Sequence, residues 1–436
     1  MYAFCLNFRQ RVVYMNFKEE IRNKYHSTGE YLRVFINWTF LSCFVGVVGG
    51  LIGVAFYKSL SIVTAFRQAN TWLIYLLPLA GLVIVFLYRM MGMKKDPGTN
   101  LLITAVVAHE QKVPQRMAFL IFAATVITHL FGGSAGREGA SLQLGGCCGS
   151  GIGRLFHLDE PDQKLITMCG MSALFSAVFG TPITATIFVI EFISVGIMHY
   201  SALVPCLTAA YIAKLIAAAF GVKAEAFVIA EAVPFELMNC AKVVALGAAC
   251  ALAGILFCMI LHKVGHLLRD HIKNDYVRIF VGGSIVVLGT VLVGNNDYNG
   301  TGSLVIEHAI EGHAVWYACI LKMLFTAVTL GSGFKGGEIV PSFFIGSTLC
   351  CVLGPILGLP AGFAAGLGLV GVFCAVVNCP LASIILSVEV FGAECLPFFA
   401  IICVVSYMLS GPYSLYSSQR LTYSKLRLEY INQKTM

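Results

Sequence analysis

The sequence predicts an all-α integral membrane protein made of two copies of one transmembrane unit. Three observations carry that prediction. The 436 residues are 58% hydrophobic and only 12% charged, with a mean hydropathy of +0.83, far from the quarter-charged composition of soluble domains. Apolar runs recur along nearly the whole chain, many long enough to cross about 30 Å of hydrocarbon. The same order of break, short helix and proline-started helix occurs twice, about 200 residues apart. No run of alternating polarity suggests strands, so a barrel is not expected.

Residues 1–34 form a basic, mixed lead without the short apolar core of a cleavable signal, and Met15 is a second candidate start. Arg9, Arg11, Lys18, Arg22, Lys24 and Arg33 precede the first span, and Arg420, Lys425, Arg427 and Lys434 follow the last. The positive-inside rule puts both termini in the cytoplasm and makes the number of full crossings even. Bases confined to ends and loops make no nucleic-acid footprint, so the net charge of +7 points to the bilayer as partner. The 16 cysteines show no ligand spacing, and the pairs Cys147-Cys148 and Cys350-Cys351 sit in apolar surroundings. They read as packing residues, and no metal or other cofactor is expected.

The first span is predicted over Phe35 to Ile62, where Gly46, Gly49, Gly50 and Gly53 make two small-xxx-small patterns for close helix contact. Trp72 to Met91 spans next, followed by a polar break over 93–100 and an apolar piece, Leu101 to Val107, too short to cross alone. Met117 to Phe131 leads into the glycine-dense stretch Gly132 to Gly146, and Ala140 to Phe156 leaves it. Leu165 to Phe179, Ile183 to Val195 and Ser201 to Phe220 complete the first repeat, at 35–221.

A composition shift over Gly221 to Glu236 opens the second repeat, at 222–416. Leu237 to Leu268 and Phe280 to Val293 span, and 294–302 is a polar break resembling the first. Set against Leu321 to Pro341 without a gap, Leu120 to Ala140 matches at Leu120, Thr125, Thr128, Gly132 and Gly136. Farther on, Pro182, Ile187 and Glu191 meet Pro380, Ile385 and Glu389. Residues 417–436 are left as a cytoplasmic tail too short for a regulatory domain. Interrupted hydrophobic segments at matching places point to a site in mid-membrane between the repeats, the second repeat being inverted if each crosses an odd number of times.

Four breaks are candidates for that site: Gly98-Thr99-Asn100, Gly136-Arg137-Glu138-Gly139, Gly333 to Pro341 and Gly411 to Tyr416. Broken backbone survives at membrane depth only where protein buries it or a polar cavity receives it. Each break ends in an apolar helix whose first N–H groups lack acceptors, and such ends attract anions without lining the path with fixed cations. Glu138, set among donors, can occupy the anion's place as a carboxylate until a proton releases it.

Gly136-Arg-Glu-Gly-Ala140 followed by Leu-Gly-Gly, Gly337-Glu-Ile-Val-Pro341 and Tyr416 resemble the CLC family of chloride channels and proton-coupled anion antiporters. The likeness runs from about Phe35 to Tyr416. It implies a CLC-type inverted repeat of tilted and broken helices, a homodimer with one anion pathway per subunit, Glu138 as the gating and proton-carrying glutamate, and Tyr416 as the hydroxyl facing the inner anion. Three departures are informative. The first break has Thr99 and Asn100 where chloride transporters read Gly-Ser-Gly-Ile-Pro, Phe192 stands where chloride antiporters often carry an inward glutamate, and the third motif carries Glu338. That set is similar to the fluoride-exporting branch, and fluoride, a small and strong acceptor, suits dense donors beside a second carboxyl group.

The expected function is fluoride export in exchange for protons through a bacterial inner membrane, with chloride/proton antiport or a passive chloride channel as alternatives. A membrane enzyme using the acids as catalysts is disfavoured, because paired repeats explain the acids. Glu138 and Glu338 are the expected gating and proton-coupling residues, and Thr99, Asn100, Gly136, Arg137, Gly139, Ile339, Val340 and Tyr416 the expected anion-binding ones. The structural alternatives are a helix-capping Glu138, a Glu338 salt bridge to Lys335 or Arg137, and a capping Thr99. Arg137 and Lys335 read as structural or field-setting charges, Glu191 and Glu389 as buried hydrogen-bonding residues, His129 as a satisfied helix histidine, and Phe334, Phe343 and Phe344 as packing.

Overall fold

The computed structural model describes residues 2–93, 98–107 and 113–436, with side chains from residue 29 onward. The side chains of the bases before residue 29, and residues 94–97 of the first break, therefore lie outside the described part. Eight helices make the first half: α1 (Tyr2–Ala69), α2 (Leu77–Met90), α3 (Thr99–Val107), α4 (Arg116–Leu130), α5 (Glu138–Leu155), α6 (Glu160–Phe179), α7 (Pro182–Phe192) and α8 (Leu203–Ala219). Eight more follow among the described residues, again with the longest helix first and the shortest third: α9 (Leu237–His271), α10 (Asp275–Val293), α11 (Ser303–Ile310), α12 (Ala318–Ser332), α13 (Ile339–Ile356), α14 (Ala361–Val377), α15 (Pro380–Phe391) and α16 (Leu396–Leu409).

The halves run in opposite directions. Arg67 at the end of α1 shares a cavity with Asn296 and Asp297 beyond the end of α10. Arg89 at the end of α2 pairs with Asp275 at the start of α10, 3.4 Å away, and lies over the Tyr276 ring. So α1 ends on the face where α10 ends, and α9 starts on the face opposite the start of α1.

Glycines set how closely the helices pack. A Cβ on Gly46 or Gly50 would meet the α8 backbone, 2.8 Å from the Ala209 carbonyl and 3.1 Å from Ala213 Cα, while Gly49 faces Ala173 on α6 at 3.0 Å. The two small-residue stripes of α1 thus serve two different partners. Gly145 and Gly170 bring α5 against α6 with backbone touching backbone, and Gly346 and Gly368 do the same for α13 and α14. The offsets, 201 residues from 145 to 346 and 198 from 170 to 368, match the sequence repeat.

Helix ends follow local chemistry. Asp159 caps α6 through the Asp162 N–H at 3.0 Å, and Gly180 ends it with φ +77°, where a side chain would be strained. In the equivalent place Asn378 ends α14 with φ +60° and donates from Nδ2 to the Tyr413 carbonyl at 3.0 Å.

A small element accompanies the helices. The chain carries a small sheet: β1 (Ser194–Val195) runs parallel to β2 (Arg420–Tyr423), which pairs antiparallel with β3 (Tyr430–Lys434). Strands of two to five residues are too short for alternation to show in a sequence. They fold residues 417–436 back onto the segment after α16, where the Ser414 N–H donates to the Met436 carbonyl at 3.1 Å and the Thr435 hydroxyl to the Tyr416 carbonyl at 2.8 Å.

Candidate functional site

The N-termini of α5 and α13 meet head to head. Gly136 and Gly337 form an isolated antiparallel bridge, each N–H donating to the other's carbonyl at 2.6 and 2.7 Å. The contact needs glycine on both sides. A Cβ on Gly337 would lie 2.6 Å from the Gly139 nitrogen and 2.9 Å from the Glu138 nitrogen, and backbone cannot yield that space.

Glu138 is fully buried at this junction. Its Oε2 accepts from the Arg137 N–H at 3.0 Å and from the Val340 N–H at 3.2 Å, so amides from both repeats hold one carboxylate oxygen. Its Oε1 has no hydrogen-bond partner and lies 4.0 Å from Arg137 Nε. An acidic oxygen between two helix N-termini marks a place that favours negative charge.

Glu338 precedes α13 and lines an open cavity of about 560 Å³ together with Gly98, Thr99, Asn100, Gln143 and Arg269. A Cβ on Gly139 would lie 3.2 Å from Glu338 Oε2 and 3.4 Å from the Thr99 hydroxyl, so these groups gather around one glycine. Thr99 accepts from Gln143 Nε2 at 3.2 Å. Asn100 Oδ1 accepts from the Ser418 N–H at 2.8 Å and ties the first break to the chain after Tyr416. The Tyr416 ring is buried with its hydroxyl unpartnered, and the Phe192 ring meets it edge-on at 5.7 Å. Beyond Glu138, Arg137 and Val340 line a second, narrow cavity with Thr301, Ser303 and Glu225. One cavity is thus lined by the two residues whose amides hold Glu138, and the other by Glu338.

Residues 80–411 match the family described as voltage gated chloride channel. The chain belongs to this family, the CLC proteins. A chloride/fluoride channel protein of Pseudomonas syringae pv. tomato is 38% identical over 394 residues, 89% of this chain and 87% of the relative. The crystal structure of a CLC-type fluoride/proton antiporter superposes with a TM-score of 0.85 at 34% identity, covering 88% of this chain and 98% of that one. That of a slow cyanobacterial Cl−/H+ antiporter shares the fold, with a TM-score of 0.73 at 21% identity over 86% and 94% of the two chains.

In this CLC chain the sequence-predicted residues other than Tyr416 gather at one helix junction and the cavity beside it, while Tyr416 packs against Phe192. Glu138, Gly136, Arg137, Gly139, Ile339 and Val340 form the helix junction, and Thr99, Asn100 and Glu338 line the cavity leading to it. The Gly136 N–H is engaged by the bridge, so the amides turned to the carboxylate are those of Arg137 and Val340. Among the described residues Glu338 takes part in no ion pair, with Lys335, Arg137 or any other base. Lys335 lies over the Tyr88 ring. His129 Nδ1 faces the Thr125 carbonyl at 2.9 Å.

Glu191 and Glu389 act as a reciprocal pair. Glu191 accepts from the Leu381 and Ala382 N–H groups that open α15, at 3.2 and 2.8 Å. Glu389 accepts from the Ile183 and Thr184 N–H groups that open α7, at 3.1 and 2.8 Å. Each repeat supplies the acid that caps the other repeat's helix.

Three residues escaped the sequence. Gln143 looks like one more small polar residue in a glycine-rich helix. Lys322, fully buried, donates to the Gly300 and Tyr298 carbonyls at 2.8 and 3.2 Å and holds the loop before α11. Its signal was a lone base inside an apolar run. Glu225, ion-paired to Arg137, belongs to the composition shift between the repeats.

Proposed function

We propose that this chain is a fluoride/proton antiporter that exports fluoride. The observation that carries the proposal is the Glu138 carboxylate seated on amides of both repeats, in a place built for an anion. When a proton neutralises Glu138, the side chain leaves and an anion takes the amides; when the anion leaves, the carboxylate returns. Anion and proton then move in opposite directions because they compete for one seat.

Selectivity follows from the second carboxyl group. Glu338 faces the cavity beside Thr99 and Gly139, where its protonated form can donate to a strong acceptor. Fluoride loses more hydration than chloride on entering, so added donors favour it. Phe192, packed on Tyr416, leaves that side of the path without the inward acid that chloride antiporters often use. The names borne by two relatives above 30% identity, a chloride/fluoride channel protein and a fluoride/proton antiporter, agree with this assignment.

The face bearing Arg89, Arg269, Lys273 and Arg278 is the cytoplasmic one by the positive-inside rule, so both termini and the Thr99 cavity face the cytoplasm. The membrane is a bacterial inner membrane and the working unit a homodimer, each subunit with its own pathway.

Purified protein in fluoride-loaded liposomes tests this. Fluoride efflux that drives proton uptake is the expected result. Chloride flux of equal size would remove the selectivity, and fluoride flux without proton movement would make the protein a channel.

A further inference from the structure

The segment joining the repeats, residues 222–236, crosses the outer mouth as an extended strap held to both halves. The Glu225 N–H donates to the Phe179 carbonyl at the end of α6, at 3.1 Å, and the Phe227 N–H donates to the Val390 carbonyl of α15, at 2.9 Å. Phe227 packs on Phe391 with ring centroids 5.8 Å apart, and Phe235 meets Phe398 edge-on at 5.3 Å. Ala224 fills the space where Gly180 has no side chain. With its backbone fixed on both sides, the strap aims the Glu225 carboxylate at the Arg137 guanidinium, and the two are directly bonded.

Arg137 is held between competing partners. Its guanidinium lies 5.1 Å from the Tyr57 ring centroid and 5.5 Å from that of Phe179. On the inner side, Nε has no hydrogen-bond partner and faces the equally unpartnered Oε1 of buried Glu138 across 4.0 Å. The two atoms form an ion pair at its outer limit of distance with no hydrogen bond between them, although buried donors and acceptors are nearly always hydrogen-bonded. The Glu225 bond accounts for the gap, because it draws the guanidinium outward.

We infer that Glu225 is a positioning residue for the antiport cycle: by holding Arg137 toward the outer mouth, it keeps Arg137 from locking Glu138 in the anion's seat. This rests on the antiporter function proposed above. Without the Glu225 charge the guanidinium can turn inward and complete the pair with Glu138. The carboxylate is then favoured over the carboxylic acid, and proton uptake demands more acid conditions. The other titratable groups within electrostatic reach of Glu138 are Glu338 ahead of α13, Lys322 on α12 and Tyr416. The ion pair of Glu225 is with Arg137, so its replacement acts through that residue.

The test is Glu225→Gln in the full-length protein in liposomes. Fluoride-driven proton uptake should fall several-fold at neutral pH, and the pH profile of transport should move toward acid by about one unit, the smaller end of what one nearby opposite charge does to a carboxyl group. The proton-to-fluoride ratio should be unchanged, and Glu225→Asp should bring the profile back toward that of the parent. In an Arg137→Gln background Glu225→Gln should add nothing. An unmoved profile, or the same displacement without Arg137, overturns the inference. If the parent protein moves no fluoride, the antiporter function falls by that result alone. Infrared titration of the Glu138 carboxyl band, identified by its loss in Glu138→Gln, then decides the role of Glu225. An acid displacement in Glu225→Gln supports it and an unmoved band rejects it.

Discussion

In the proposed cycle Glu138 alternates between holding a proton and holding the Arg137 and Val340 amides. Glu138→Gln keeps the size and removes the charge, so the side chain no longer competes with the anion as a base. Fluoride flux without proton movement is the expected result in liposomes, and intact coupling would remove Glu138 from the mechanism. Glu338→Gln retains donors but loses the titratable proton, and should lower fluoride throughput or its preference over chloride by about 10-fold, the size of one charge-assisted hydrogen bond. Wild-type flux and selectivity in that variant would leave Glu338 a structural role. Both acids were legible in the sequence, because an acid inside a glycine-rich break of an apolar run has few structural uses. The Arg137–Glu225 pair was not, since its partners are 88 residues apart in the chain and no local pattern joins them.

At the scale of elements, the sequence marked where helices come close without saying which helix each face meets. Gly46, Gly49, Gly50 and Gly53 announce a small-residue surface by spacing alone, whereas their division between α8 and α6 depends on a fold that brings both beside α1. Gly49→Leu should therefore push α6 from α1, at a cost of about 1–3 kcal/mol from overpacking, read as a lower melting temperature in detergent. An unchanged melting temperature would mean that α6 does not lie on that face. The reciprocal caps make a second element-scale prediction. An acid near a helix start favours the N-terminal dipole, and Glu191 and Glu389 each accept two N–H groups of the opposite repeat. Glu191 is buried while Glu389 is half-exposed, so water replaces less of what Glu191 gives. Glu191→Gln should accordingly lower thermal stability more than Glu389→Gln, by up to about 1–3 kcal/mol for the buried pair of bonds. Equal losses would show that burial does not set their strength.

At the scale of the whole molecule, the two repeats are complementary rather than independent. The Glu138 seat takes an amide from each half, the Gly136–Gly337 bridge joins them, and each half lacks the acid that caps its own seventh helix. A half alone would leave those N–H groups unpaired in hydrocarbon, where each costs several kcal/mol. The repeat was readable from matched breaks and its inversion from the family resemblance, but this interdependence was not, because it lies in hydrogen bonds between residues about 190–206 apart. The strap offers a way to measure it. Residues 230–232 are exposed, and a cut there leaves the anchors at Glu225 and Phe227 with the first half and Phe235 with the second. Exposed tips of this kind tolerate breaks well. Co-expression of residues 1–231 with residues 232–436 should therefore restore fluoride flux in vesicles, while either fragment alone should accumulate poorly and transport nothing. Transport by a single fragment would mean that one repeat can build the seat without the other, and the pairing of helix ends across the inverted halves would then not be what makes the site.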